Sequence, residues 1–120
     1  MNTASSVTDW VHNYYTTVDA GDAAATAALF SDDATYHRPG YSPLHGQEIA
    51  EFYHGARVIK SGTHTLEEVI VNGLHAASRG NFKGVLKDGS EVHVGFADFF
   101  EFTPEGTIQN RVTYFFQASV

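Results

Sequence analysis

The sequence predicts an α+β fold in which three N-terminal helices pack on a curved antiparallel sheet, making a cone with an interior pocket. Three observations carry this. Apolar residues recur at helical spacing early in the chain, long stretches alternate at strand spacing later, and turn signals separate those stretches. Helices first and strands afterwards place the helices on one face of an antiparallel sheet. A curved sheet closed at one end by helices is concave, and pockets favour concave places.

The first helix rests on Val7, Trp10, Val11, Tyr14, Tyr15 and Val18, one continuous apolar stripe. Ser6 with Asp9 reads as its N-terminal cap and Gly21 as its stop. Asp22 caps a second helix over 23–30, which Ser31-Asp32-Asp33 breaks. A brief strand over 34–38 closes at Pro39-Gly40. A third helix covers 47–56, with Ile49, Phe52 and Tyr53 on one face. After Ser61-Gly62, strands are expected over 63–71, 74–86, 91–102 and 107–117. Asn72-Gly73, Lys87-Asp88-Gly89 and Pro104-Glu105-Gly106 divide them.

A length of 120 residues suits one domain spanning 1–120, and 42% hydrophobic residues suffice for a core. Nine Phe, six Tyr and one Trp supply rings that can line a cavity as well as fill it. Seven Lys/Arg against fourteen Asp/Glu give a net charge of −7 with no basic cluster, which argues against nucleic acid and anionic membrane surfaces as partners. No apolar run has the length of a membrane span, and the N-terminus lacks the pattern of a secretory signal. The absence of Cys removes thiol chemistry and disulfides, so a cytoplasmic location is expected.

The strand over 91–102 carries the sharpest chemical signal. Its even positions are Val92, Val94, Phe96, Asp98, Phe100 and Phe102: one carboxyl among five apolar side chains. If the alternation holds, Asp98 points inward; a bulge would turn it to solvent. A carboxyl buried among apolar groups keeps its proton unless a cation or hydrogen-bond donors compensate. Either form is useful, one donating a hydrogen bond and the other accepting a proton. Tyr14 and Tyr53 offer phenols on inward helix faces, whereas Tyr15 reads as a core ring. Period two puts Tyr36 and Arg38 on one face of their short strand and His37 on the other. Arg38 cannot act as a base, but it can hold an anionic group or pair with Asp98.

Seven histidines, at 12, 37, 45, 54, 64, 75 and 93, scatter without an H-x-H or H-x-x-x-H pair, so no metal site is expected. His64, opening a long strand, is the best candidate for a base within the pocket, and His93 should face outward, opposite Asp98 in parity. Arg111, Thr113 and Phe115 share one face of the last strand, and Val112, Tyr114 and Phe116 the other; periodicity leaves open which is inward. No phosphate-binding Gly-rich loop or G-x-S-x-G elbow is present, so neither nucleotide use nor serine hydrolysis has support.

At this point the chain resembles a known family. A helix bearing Tyr14, then Ala20-Gly21-Asp22, then Ala28-Leu29-Phe30-Ser31-Asp32-Asp33-Ala34-Thr35 and a Pro-Gly turn, are similar to bacterial ketosteroid isomerases. Glu51-Phe52-Tyr53, Ala97-Asp98-Phe99-Phe100-Glu101-Phe102 and Gly106-Thr107-Ile108 continue the similarity along nearly the whole chain. The resemblance implies the nuclear-transport-factor-2-like superfamily, which includes SnoaL-like cyclases and limonene-epoxide-hydrolase-like enzymes. It implies that Tyr14 is an oxyanion-hole tyrosine, Tyr53 its support, and Asp98 a protonated, donating aspartate; ketosteroid isomerase is the standard illustration of that last device. The family's general-base aspartate is replaced by Arg38. The epoxide hydrolases' Asp-Arg-Asp set is also broken, since Arg79-Gly80-Asn81 has Asn for Asp and Thr113 stands where the second Asp belongs.

The expected activity is a cofactor-free isomerase or cyclase working by acid–base chemistry on a small, largely apolar, oxygenated substrate of polyketide, terpenoid or steroid-like type. Asp98 and Tyr14 would polarise an oxygen, Arg38 would orient an anion or tune Asp98, and His64 would move the proton. Tyr36, Tyr53, Phe96, Arg111, Thr113 and Trp10 would line the pocket. The alternatives are an epoxide hydrolase-like enzyme of the same fold and a non-catalytic module that binds a hydrophobic molecule. A homodimer is expected through the outer sheet face, where Phe99 meets Val112, Tyr114 or Phe116.

Overall fold

The computed structural model describes residues 3–57 and 59–116. Helix α1, Thr3–Asp19, buries the predicted stripe: Val7, Val11, Tyr14, Tyr15 and Val18 all face the core. Each such side chain contributes roughly 1.5–3 kcal/mol through burial. The helix begins three residues before Ser6, so Ser6 is inside its first turn and is not its cap. Ala4 and Ser5 do not oppose helix, and Thr8 Oγ1 donates to the Ala4 carbonyl at 2.8 Å within that turn.

Helix α2, Ala23–Ala27, is capped as expected, with Asp22 accepting from the Ala25 amide at 2.9 Å. It ends three residues earlier than predicted, because Phe30 already belongs to strand β1, Phe30–His37. The Ser31-Asp32-Asp33 stretch is not a loop. It is the irregular part of β1, whose pairing with β6 shifts between Phe30 and Thr35. A two-residue strand β2, Leu44–His45, pairs antiparallel with β1. Helix α3, Gln47–Glu51, continues as a π-helical turn over Phe52–Ala56, closed by the Arg57 amide donating to the Phe52 carbonyl at 3.0 Å.

The long strands are β3, Ile59–Asn72; β4, His75–Leu86; β5, Glu91–Phe102; and β6, Ile108–Phe116. Residue 117, the last of the predicted final strand, lies outside the described residues. Strand β3 starts four residues early, running through Ser61-Gly62 rather than after it. Gly62 fits there because the Phe82 ring occupies the space a side chain would need; a Cβ would sit 2.3 Å from Phe82 Cζ. The sheet order is β2-β1-β6-β5-β4-β3, antiparallel except for the parallel β1–β6 pair. It curves without closing. One source of curvature is the β3–β4 register shift between Leu66 and Glu68. Gly80 lies opposite, where a Cβ would come within 2.0 Å of the Thr65 carbonyl oxygen. The helices lie on the concave face. No helix among the described residues is long and apolar enough to cross a membrane.

Candidate functional site

Strand β5 keeps its alternation without a bulge at Asp98, so the carboxyl points inward and is fully buried, at 0% exposure. His93 on the opposite parity is exposed. Register explains how the interior tolerates the carboxyl. Ser78, Asp98 and Thr113 face one another across β4, β5 and β6, making a polar row in an aromatic core. Thr113 Oγ1 donates to Asp98 Oδ1 at 2.5 Å, and Arg111, two residues earlier on β6, donates through Nη2 to Oδ2 at 2.9 Å. Tyr15 descends from α1 and donates its hydroxyl to the same Oδ2, while also bonding Ser78 Oγ at 2.7 Å. Both Asp98 oxygens therefore act as acceptors, the arrangement of a carboxylate rather than of the donating acid implied by the family resemblance.

The side chain that balances this carboxylate is Arg111, not Arg38. Its guanidinium lies 4.4 Å from the Tyr14 ring centroid and 4.6 Å from that of Tyr36, with the Phe100 ring at 5.6 Å. A guanidinium is weakly hydrated and stacks well on rings, so this cation can be buried where an ammonium would not be. Burial works against its charge, but Asp98 and the surrounding phenols outweigh it and push its pKa well above the ordinary arginine value.

Of these groups, Asp98, Arg111, Thr113, Tyr14 and Tyr36 form the floor of a cavity of about 200 Å³ that also reaches Phe96, Phe82, His64 and Tyr53. The half-buried Arg38, Arg57, Ile59, Leu86, Val92 and Phe115 form its mouth. Among the predicted residues, Asp98, Tyr14, Arg38, His64, Tyr36, Tyr53, Phe96, Arg111 and Thr113 all line it. Trp10 does not. It lies one helical turn from Tyr14 toward the N-terminus, and packs on Phe102 at 5.5 Å between ring centroids, away from the cavity. The inward face of β6 is Arg111–Thr113–Phe115; Tyr114 and Phe116 point out.

The phenols fall into distinct settings. Tyr14 and Tyr53 share a 2.6 Å hydrogen bond, the pairing implied by the resemblance, and burial raises both pKa values. Tyr14 makes no direct bond to Asp98; that place belongs to Tyr15, read from sequence as a core ring only. Burial and the charge of Asp98 raise the Tyr15 pKa. Tyr36 goes the other way. Burial would raise it, but Arg111 and Arg38 together outweigh burial and pull it below the ordinary phenol value. Its hydroxyl accepts from Arg38 Nη1 at 3.3 Å and lies 3.3 Å from Thr113 Oγ1.

His64 sits on the cavity wall beside Phe82 and Phe96, its Nδ1 2.6 Å from Asp19 Oδ1. With Nδ1–H donating to that carboxylate, Nε2 carries the lone pair. Sequence reasoning missed Asp19. The available signal was its spacing: Asp19 follows Tyr15 by four residues and so shares its helix face. Arg79 and Asn81 are elsewhere. Arg79 is exposed and pairs with Glu67 at 2.7 Å and Glu68 at 2.8 Å, and Asn81 donates to Glu67, all outside the cavity. An Asp–Arg pair on neighbouring strands does exist, as Asp98 and Arg111, but Asp98 is the one carboxylate among the described residues lining the cavity.

Solved structures share the architecture. The chain superposes on the epoxide hydrolase/cyclase-like enzyme SalBIII, described for pyran ring formation in the polyether salinomycin. The TM-score is 0.81 at 19% identity, over 92% of this chain and 91% of that one. It matches PrhC from Penicillium brasilianum NBRC 6234 with TM-score 0.82 at 14% identity, over 96% and 83%. It matches an NTF2-like protein of unknown function from Burkholderia pseudomallei K96243 with TM-score 0.79 at 16% identity, over 92% and 91%. At these identities the likeness is one of fold. The family model of the SnoaL-like domain matches residues 11–110, a span that runs from α1 into β6 and contains His64, Asp98 and both tyrosines of the 2.6 Å pair. The chain belongs to the SnoaL-like domain family.

Proposed function

We propose that the protein is an isomerase or cyclase that works by acid–base chemistry, with its own side chains, on a small and largely apolar oxygenated substrate. The observation that carries this reading is the presence, on one cavity, of two complementary proton-handling units. His64 lines it with Nδ1 bonded to Asp19, and with that nitrogen donating, Nε2 is left with the lone pair. The floor presents phenols and a buried guanidinium to an oxygen that gains charge. In this reading His64 takes a proton from the substrate carbon or hydroxyl, and Asp19 stabilises the imidazolium that forms. The Tyr36 and Tyr14 hydroxyls hydrogen-bond the developing oxyanion, and Arg111 balances its charge. Asp98 keeps Arg111 and Tyr15 in place. The cyclase-like enzyme with which the chain shares its fold supports ring closure among the candidate reactions. A hydrolase of the Asp-Arg-Asp type has less support, since no second carboxylate among the described residues lines the cavity beside Asp98 and Arg111.

The test is proton exchange in heavy water with a panel of small polyketide-like and terpenoid ketones and hydroxyketones, followed by NMR. Deuterium should enter next to the carbonyl with the native protein and not with His64→Gln. Binding of panel members without exchange by the native protein would assign the cavity to ligand capture alone.

A further inference from the structure

We propose that the ligand of this cavity carries a carboxylate, and that Arg38 holds it at the mouth. The inference deepens the proposed function and rests on that reading only in taking the cavity as a ligand site. Three of the seven Lys/Arg residues line the cavity, Arg38, Arg57 and Arg111, against one of the fourteen Asp/Glu residues, Asp98. Asp98 is already matched by Arg111 at 2.9 Å. Arg38 and Arg57 thus form a surplus of positive charge inside a protein whose net charge is −7.

Arg38 has no acidic partner among the described residues, and its Nε is buried without a hydrogen-bond acceptor. Such a donor, shielded from water and unpaired, is costly unless something arrives to accept from it. Its surroundings define what can arrive. The guanidinium is flanked by the rings of Phe115 at 5.2 Å, Phe52 at 5.5 Å and Tyr41 at 5.8 Å. These rings surround the guanidinium with apolar surface, and a guanidinium edge offers two parallel N–H groups to a planar anion. The single donation it already makes, from Nη1 to the Tyr36 hydroxyl, fixes the plane of the fork. Arg57, stacked on Tyr53 at 5.7 Å and also without an acidic partner among the described residues, adds field at the same opening. Inorganic phosphate has no apolar part to place against the rings and the aliphatic walls, so it gains only the charge contact. Between Arg38 and the polar floor the cavity walls include Phe82, Leu86, Val92, Val94 and Phe96, so much of the ligand is apolar.

The experiment measures binding, not turnover, by NMR titration of three probes: 3-phenylpropanoate, 3-phenylpropan-1-ol and inorganic phosphate. The acid should bind roughly ten- to a hundredfold more tightly than the alcohol, as expected for a charge-assisted hydrogen-bonded pair. Phosphate should not displace it. Arg38→Met should bring the affinity for the acid down to that for the alcohol, and Arg38→Lys, which keeps the charge but loses the fork, should retain part of the preference. Thermal melts of both variants, expected to match the native protein, check that they are folded. Equal affinity for acid and alcohol, a preference that survives Arg38→Met, displacement by phosphate at comparable concentration, or failure of both organic probes to bind at millimolar concentration would each overturn the proposal. A protein that exchanges no deuterium yet prefers the acid loses its proposed chemistry and keeps this site; the converse result does the opposite.

Discussion

His64 and Asp19 are joined twice: the imidazole Nδ1 lies 2.6 Å from Asp19 Oδ1, and the His64 backbone N–H donates to Asp19 Oδ2 at 2.8 Å. The second bond holds the carboxylate in place whatever the imidazole is doing. A carboxylate so held favours the tautomer in which Nδ1–H donates to it, which leaves Nε2 to accept a proton. His64→Gln should lower turnover by about 10²–10⁴-fold, the range for a general base. Asp19→Asn keeps an oxygen for the backbone amide but no charge for the imidazolium. It should lower kcat toward the smaller end of that range with little change in KM. Native kcat in Asp19→Asn would remove Asp19 from the mechanism and leave it as a tether between helix and sheet.

The buried tyrosines make a second prediction, in the pH dependence of stability. Tyr14, Tyr15 and Tyr53 hold their protons more tightly in the folded protein than in the unfolded chain, in each case chiefly through burial. The stability they contribute is complete below pH about 10, the ordinary phenol value, and is lost as pH rises beyond it toward their folded values. Tyr36 is depressed, because Arg111 and Arg38 outweigh its burial. Its contribution has the opposite sign: present above pH about 10 and lost as pH falls through its folded value. Three groups against one give net alkaline destabilisation. Tyr15→Phe should flatten that loss and Tyr36→Phe should steepen it, as read by melting temperature against pH. In a near-ultraviolet phenolate titration, Tyr36→Phe should also delete the first buried step. An unchanged first step would place the low-pKa phenol elsewhere.

Local periodicity made much of the fold legible. The α1 stripe, the Asp22 cap, the turn at Asn72-Gly73 and the inward parity of Asp98 all depend on contacts within a few residues, and the pattern encodes them directly. What was not legible depends on partners distant in sequence. The parallel pairing of β1 with β6 joins segments separated by most of the chain, and the pairs on either side of Ser31-Asp32-Asp33, at Phe30 and Thr35, carry the strand across an apparent break. The same holds in the site. Asp98 was identifiable as a buried carboxyl, but its cation was not, because Arg38 and Arg111 both share a face with inward residues. Only the register Ser78↔Asp98↔Thr113 places Arg111 within reach. Tyr15 looked like a core ring because most of its surface is one; a single atom, its hydroxyl, carries the polar role.

The outer face of the sheet predicts assembly. Phe99 and Tyr114 are 50% and 56% exposed, although their rings meet edge-to-face at 5.9 Å, and Phe116 on the same strand face as Tyr114 is 80% exposed. Neighbouring rings open to water on adjacent strands form a patch rather than scattered residues. A symmetric dimer through this face would cover it. Light scattering should give about twice the 13.1 kDa chain mass at micromolar concentration. Phe99→Glu should shift the protein to monomer without loss of helical or sheet signal. A native monomer at that concentration would leave the face to another partner.

The last prediction concerns Asp98, and the structure sharpens what its substitution must do. If Asp98 were a neutral donor, Asn would be a close substitute. Instead every group around it donates: Thr113 to Oδ1, and Arg111 and Tyr15 to Oδ2. An amide offers one acceptor oxygen and an NH₂ that must confront a donor, and it leaves the buried Arg111 without a counter-charge. Removing one member of a buried pair costs about 3–5 kcal/mol, far more than the volume change would suggest. Asp98→Asn should therefore lower the denaturant midpoint by an amount of that order. Asp98→Leu with Arg111→Met removes both charges together and should recover most of the loss. A cost of less than about 1 kcal/mol for Asp98→Asn, the scale of an exposed pair, would mean that the pair is not desolvated as described. The folded double variant also separates stability from chemistry. With Arg111 gone, nothing at the floor balances an oxyanion, so deuterium exchange should fall even where the melting temperature is restored. Exchange at the native rate in that variant would assign Asp98 and Arg111 to the fold alone and leave the chemistry to His64 and the phenols.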